Sequence, residues 1–141
     1  MFLYEEDLKR AFWKNYNYNN RAVIFQFESD FRGGNIDLVT IEKYQEKWQI
    51  NAFEFKLDDI KKVLLQAKYN IQFCTKSWAV IPIEKENLIN DKYINYLQEN
   101  KSIGVIGVGE KGKWKIIYQP TIFNEDIILT QKHFSLMINK M

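Results

Sequence analysis

The chain has one cysteine, one histidine, two prolines and six glycines in 141 residues. Cys74 cannot form a disulfide within the chain, and a structural zinc site built on cysteines is equally excluded. The lone histidine, His133, lies near the C-terminus in a helical pattern and reads as a surface or edge residue, so imidazole-based triad chemistry is not expected. No apolar run approaches the roughly 20 residues of a membrane span. The first residues carry acids in place of the basic-then-apolar opening of a secretion signal. These absences point to a cytoplasmic protein. Net charge is small as well: 20 Lys and Arg against 18 Asp and Glu leave +2, which neither demands nor excludes a nucleic-acid partner.

What is present is a folding sequence. Hydrophobic residues make up 46% of the chain, which excludes a disordered tail or linker. The length suits a single domain over residues 1–141 with a sizeable core. Tyr4, Leu8, Ala11 and Phe12 recur at helical spacing and predict a helix over 2–16. A strand is expected over 22–28, a loop with two glycines over 29–34, and a hairpin with strands over 35–42 and 48–56. Ile60, Val63, Leu64, Ala67 and Ile71 form one stripe of a helix over 57–73, with Asp58 or Asp59 at its start. A buried strand over 78–83, a helix over 86–100, a second hairpin over 103–108 and 114–118, and a closing helix over 123–139 complete the pattern. The order α-β-β-β-α-β-α-β-β-α describes an α/β domain with a mixed sheet flanked by helices.

The chemistry-bearing residues sit on the first hairpin. With its turn centred between Gln45 and Glu46, residues whose numbers sum to 91 face each other, which puts Asp37 opposite Glu54 on one face of the sheet. Lys56 joins them by the two-residue strand period. Charges inside strands this apolar are costly unless paired or bound to a metal. Two carboxylates on one face can hold Mg²⁺, and a lysine beside them can orient water or stabilise charge on phosphorus. The plainer alternative is a cross-strand Lys–Glu ion pair with a solvent-facing Asp37. Gln66, about ten residues past Lys56, can hydrogen-bond a water, a phosphate or a ligating carboxylate, or can be an ordinary helical glutamine. Glu5 borders the apolar stripe of the first helix, ahead of Glu6 as a candidate. It can lean over the sheet end, or simply complement the helix dipole.

Glu5, Gly34-Asn35-Ile36-Asp37, Glu54-Phe55-Lys56, Gln66-Ala67-Lys68-Tyr69 and Trp78-Ala79-Val80-Ile81-Pro82 resemble the PD-(D/E)xK, restriction-endonuclease-like superfamily, in the form of small Holliday-junction-resolvase-like domains. The resemblance covers about residues 5–82. It implies the restriction-endonuclease-like fold, with an α-β-β-β-α-β core followed here by a helix, a β-hairpin and a helix. It further implies a Mg²⁺- or Mn²⁺-dependent nuclease acting on DNA in recombination, repair or mobile-element defence, with a homodimer as one arrangement. Asp37 and Glu54 would be metal ligands, the Phe55 carbonyl and Glu5 would complete the shell, Lys56 would be the catalytic lysine, and Gln66 auxiliary. Asn35-Ile36 stands where the literal pattern has a proline before the acid. The rival expectation is a catalytically inactive module of that fold, binding DNA or a protein partner.

The glycines of Gly104-Val105-Ile106-Gly107-Val108-Gly109 do not have nucleotide-loop spacing, and they read as a glycine-bearing hairpin strand.

Overall fold

Six apolar segments of alternating or continuous pattern become six strands of one sheet. The computed structural model describes residues 1–30 and 34–121. Helix α1 (Glu5–Tyr16) precedes strands β1 (Ala22–Ser29), β2 (Ile36–Tyr44) and β3 (Lys47–Phe55). Helix α2 (Ile60–Asn70), with a 3-10 turn at Ile71–Phe73, leads to β4 (Lys76–Pro82). A third helix, α3 (residues 86–99), connects β4 to the hairpin of β5 (Ile103–Val108) and β6 (Trp114–Tyr118). The expected closing helix over 123–139, His133 and Gly33 lie outside the described residues.

Strand order in the sheet follows chain order, β1 to β6. The pairs β1–β2, β2–β3 and β5–β6 are antiparallel, while β3–β4 and β4–β5 are parallel across the helical crossovers. This is an α/β architecture with a mixed sheet, as the element order implied. β5 is buried throughout and β4 nearly so, as expected of parallel strands covered on both faces.

Alternation divides the core. On one face Leu8, Phe12 and Tyr16 of α1 pack on Leu38, Phe53, Phe55, Trp78 and Val80. On the other, Ile60, Val63, Leu64 and Ala67 of α2 pack with Ala79, Ile81, Ile89 and Leu97. Phe12 is fully buried and touches Phe53 and Phe55, both at 5.7 Å between ring centroids.

Helix limits differ from expectation for local reasons. Tyr4 is extended (φ −132°, ψ 149°), so α1 starts at Glu5 and carries Glu5, Glu6 and Asp7 in its first turn, where the dipole favours acids. Asp59 caps α2 by accepting from the Lys62 N–H at 3.1 Å, which delays that helix to Ile60. The expected helix over 86–100 forms, but with a π segment at Ile89–Tyr93 between α segments Glu86–Leu88 and Ile94–Glu99. The second hairpin has its expected bounds, so the glycines lie on a strand. A Cβ at Gly104 would collide with the Trp78 ring.

The register of the first hairpin is the expected one. Leu38 pairs with Phe53, Val39 with Ala52, and so on to Tyr44 with Lys47, every pair summing to 91. Gln45 (φ 49°) and Glu46 (φ 69°) form the two-residue turn, and positive φ at both positions marks a type I′ turn, which favours Asn-Gly. The double variant Gln45→Asn, Glu46→Gly should therefore raise the urea midpoint by a stability gain of about 1 kcal/mol without changing the m-value.

Candidate active site at the end of the first hairpin

The β2–β3 ladder runs only as far as Leu38 and Phe53. Beyond it the Asp37 side chain takes over, with Oδ2 accepting from the Phe55 N–H at 2.9 Å. The aspartate thus grips the peptide that joins Glu54 to Phe55, one residue short of Lys56. The chain of β3 carries on beside β4, where the Lys56 N–H donates to the Val80 carbonyl at 3.2 Å. Lys56 Nζ lies 3.3 Å from Glu5 Oε2 at the start of α1. Two contacts therefore tie Asp37, Phe55, Lys56 and Glu5 together at one end of the sheet.

Two further residues join this group. Lys9 lies one turn beyond Glu5 on α1 and donates to Glu28 Oε1 of β1 at 3.1 Å. Its ammonium stands 5.9 Å from the centroids of the Phe27 and Phe55 rings. Burial alone would lower the Lys9 pKa, but Glu28, Asp37 and Glu6 outweigh it and hold it above its ordinary value. The i, i+4 spacing from Glu5 is the sequence signal for Lys9. Glu28 had no comparable signal, because it has φ 51°, a left-handed conformation that breaks the strand's regularity.

The Asp37 carboxyl is pushed above the usual carboxylate value, first by burial. The Phe55 N–H and Lys9 oppose the rise, while the charges of Glu28 and Glu5 add to it. The result is a crowded, partly desolvated acid that a cation would favour in its ionised form.

Glu54 is placed differently. Alternation puts Phe53 and Phe55 against α1 and sends Glu54 towards α2, where Oε2 accepts from Asn70 Nδ2 at 2.8 Å. Glu54 is 1% exposed. Asn70 does what was expected of Gln66, one helical turn earlier: it hydrogen-bonds a candidate ligating carboxylate. Gln66 makes no such bond, and its Oε1 is buried without a hydrogen-bond partner among the described residues. Asparagine is common at helix ends for capping reasons, which is why Asn70 did not stand out in the sequence.

Among the described residues, no group of three or more His, Cys, Asp or Glu side chains is arranged to hold a metal ion. Mg²⁺ does not require one: it keeps several waters and is commonly held by one or two carboxylates with substrate phosphates. Hydrogen bonds to the second oxygen of a ligating carboxylate are also usual, so the Asn70 contact is compatible with ligation by Glu54. No described helix is long and apolar enough to cross a membrane. Comparison with protein-family models, curated proteins and solved structures finds no match, so the site is read from its own geometry.

Two outcomes follow. Asn70→Ala should cost about 2 kcal/mol of stability in denaturant titration, because it strips a hydrogen bond from a buried carboxylate. For Asp37, a raised folded-state pKa means that the folded protein binds this proton more tightly than the unfolded chain. Its contribution to stability is thus full below the unfolded value of 3.8 and is lost as pH rises through the folded value. Asp37→Asn, which can still accept from Phe55, should gain stability over the wild type at pH 7 and show no such gain at pH 3.5.

Proposed function

We propose that the chain is a metal-dependent nuclease of the restriction-endonuclease-like fold, hydrolysing DNA phosphodiester bonds. The observation that carries this reading is the Asp37–Phe55 contact, which brings an acid from β2 onto the Glu54-Phe55-Lys56 segment of β3. The element order and the parallel return of β4 beside β3 support it too.

Asp37 and Glu54 are the ligands for Mg²⁺ or Mn²⁺ in this reading, with the Phe55 carbonyl and Glu5 beside them. Bound there, the ion would polarise the phosphodiester and neutralise the leaving oxygen. Asn70 orients Glu54 by holding one of its oxygens. Glu5 keeps the Lys56 ammonium in the site, from where it can steer an attacking water and face the charge that develops on phosphorus. Gln66, with unspent hydrogen-bonding capacity on the same helix as Asn70, is auxiliary. DNA is the substrate and partner, and paired sites in a homodimer suit branched or duplex DNA.

A second reading, a module of this fold that binds DNA or a protein without cutting, is favoured by one specific observation: Glu54 is 1% exposed and already hydrogen-bonded. Calorimetry with Mn²⁺ separates the two. Saturable binding at millimolar metal, abolished by Asp37→Ala, fits the nuclease; DNA binding without metal binding fits the module.

The direct test is cleavage of branched, single-stranded and duplex DNA with Mg²⁺. Lys56→Ala and Asp37→Ala should each lower the rate by at least about 100-fold. Equal cleavage by wild type and both variants would overturn the assignment.

A further inference from the structure

The opposite end of the sheet carries a second polar centre that the nuclease reading leaves unused. Here the C-terminal turn of α1 and residues of β2 to β6 line a cavity of about 400 Å³, within the size range of small-molecule sites. Its aromatic lining includes Tyr16, Trp78 and Trp114. The Arg21 guanidinium stands over Tyr16 and Trp114, 4.8 and 5.0 Å from their ring centroids.

The interior is built at a cost. Glu42 is 8% exposed, and its Oε2 accepts from both the Tyr16 hydroxyl at 2.7 Å and the Thr40 hydroxyl at 2.6 Å. Both bonds fall on the same oxygen of the carboxylate. Two hydroxyls thus hold a buried carboxylate at the wall of an open cavity, an arrangement that folding alone does not favour. Asn51, on the neighbouring strand β3, is 2% exposed, and its Oδ1 has no hydrogen-bond partner among the described residues. A buried polar side chain at this cavity therefore has capacity that the described residues do not spend. Cations stand around these groups: among the described residues, Arg21, Lys43 and Lys76 line the cavity, with Glu42 the one acid.

We propose that this cavity is a nucleotide-binding site. The base enters between the aromatic walls, its N–H groups donating to Glu42 and hydrogen-bonding with Asn51, while Arg21, Lys43 and Lys76 receive the phosphate. A carboxylate and a carboxamide are suited to read a base edge, aromatic faces stack on any base, and the surplus of positive charge matches the anion. The site does not depend on the nuclease reading. Asp37 and Glu54 lie towards the far ends of β2 and β3, and no metal is involved.

The test is calorimetric titration of the full chain, in EDTA, with the four ribonucleoside 5′-monophosphates, the free nucleosides and inorganic phosphate. Saturable binding of at least one nucleotide is expected, tighter than its nucleoside and than phosphate alone. Glu42→Gln and Arg21→Ala should each weaken it about tenfold, corresponding to about 1.4 kcal/mol, while Asp37→Asn binds as wild type does. Arg21 is exposed, so its variant decides the matter if Glu42→Gln fails to fold. A short oligonucleotide binding more tightly than the mononucleotide identifies a strand as the source of the base, and equal binding identifies a free nucleotide. No saturable binding at millimolar nucleotide, phosphate binding as tightly as nucleotide, or unchanged binding by Arg21→Ala would overturn the proposal.

Discussion

The alternation of side chains along β3 is the constraint on which the rest of the structure depends. Phe53 and Phe55 must lie under α1 because Phe12 needs aromatic partners to fill that face. That requirement fixes Glu54 on the α2 side, where Asn70 meets it. A slip of one residue would reverse every side chain on the strand, exposing two phenylalanines and driving the acid into an aromatic core. The two-residue turn at Gln45 and Glu46 prevents the slip despite unfavourable backbone angles at both positions.

This constraint also explains why the two candidate acids behave so differently although the register would place them opposite each other. Glu54 lies within the sheet and takes a neutral amide as its partner. Asp37 lies where the ladder has just ended, so its carboxylate replaces a missing backbone acceptor and meets the charges of α1 and β1. One acid is held still by packing, the other by a backbone N–H and surrounded by charge. A metal site needs both qualities: a rigid ligand and an electrostatic demand for a cation.

Much of this was legible in the sequence where a single period or a single turn governs the outcome. The sum-to-91 register followed from turn placement alone, and the β5–β6 hairpin followed from two short apolar runs. Glu5 and Lys56 meet because each stands at the end of its element, which helical and strand periods can locate. Legibility failed where one residue's role is set by a neighbour distant in the chain. Asn70 rather than Gln66 reaches Glu54 because of how α2 lies across the sheet, and the π segment in α3 is invisible to a 3.6-residue period. The cavity at Glu42 and Asn51 was equally hidden: Tyr16, Thr40 and Lys76 come together only when α1, β2 and β4 are assembled.

Strand order that follows chain order has a kinetic consequence. Each strand from β2 onward docks against its immediate predecessor, so the sheet can grow from one edge without leaving a gap to be filled later. Such connectivity shortens the loops that must close in the antiparallel hairpins, while the parallel crossovers from β3 to β4 and β4 to β5 carry the larger closure cost. On a ribosome, β1 to β3 can pair before β5 has been synthesised. The last contacts to form then join the two ends of the described chain: the β5–β6 loop settles on α1, where Asn15 donates to the Lys111 carbonyl and Gly112 passes too close to Ala11 to carry a side chain. The nascent protein would thus complete the hairpin that carries the proposed chemistry first, and lock the helix that covers it last.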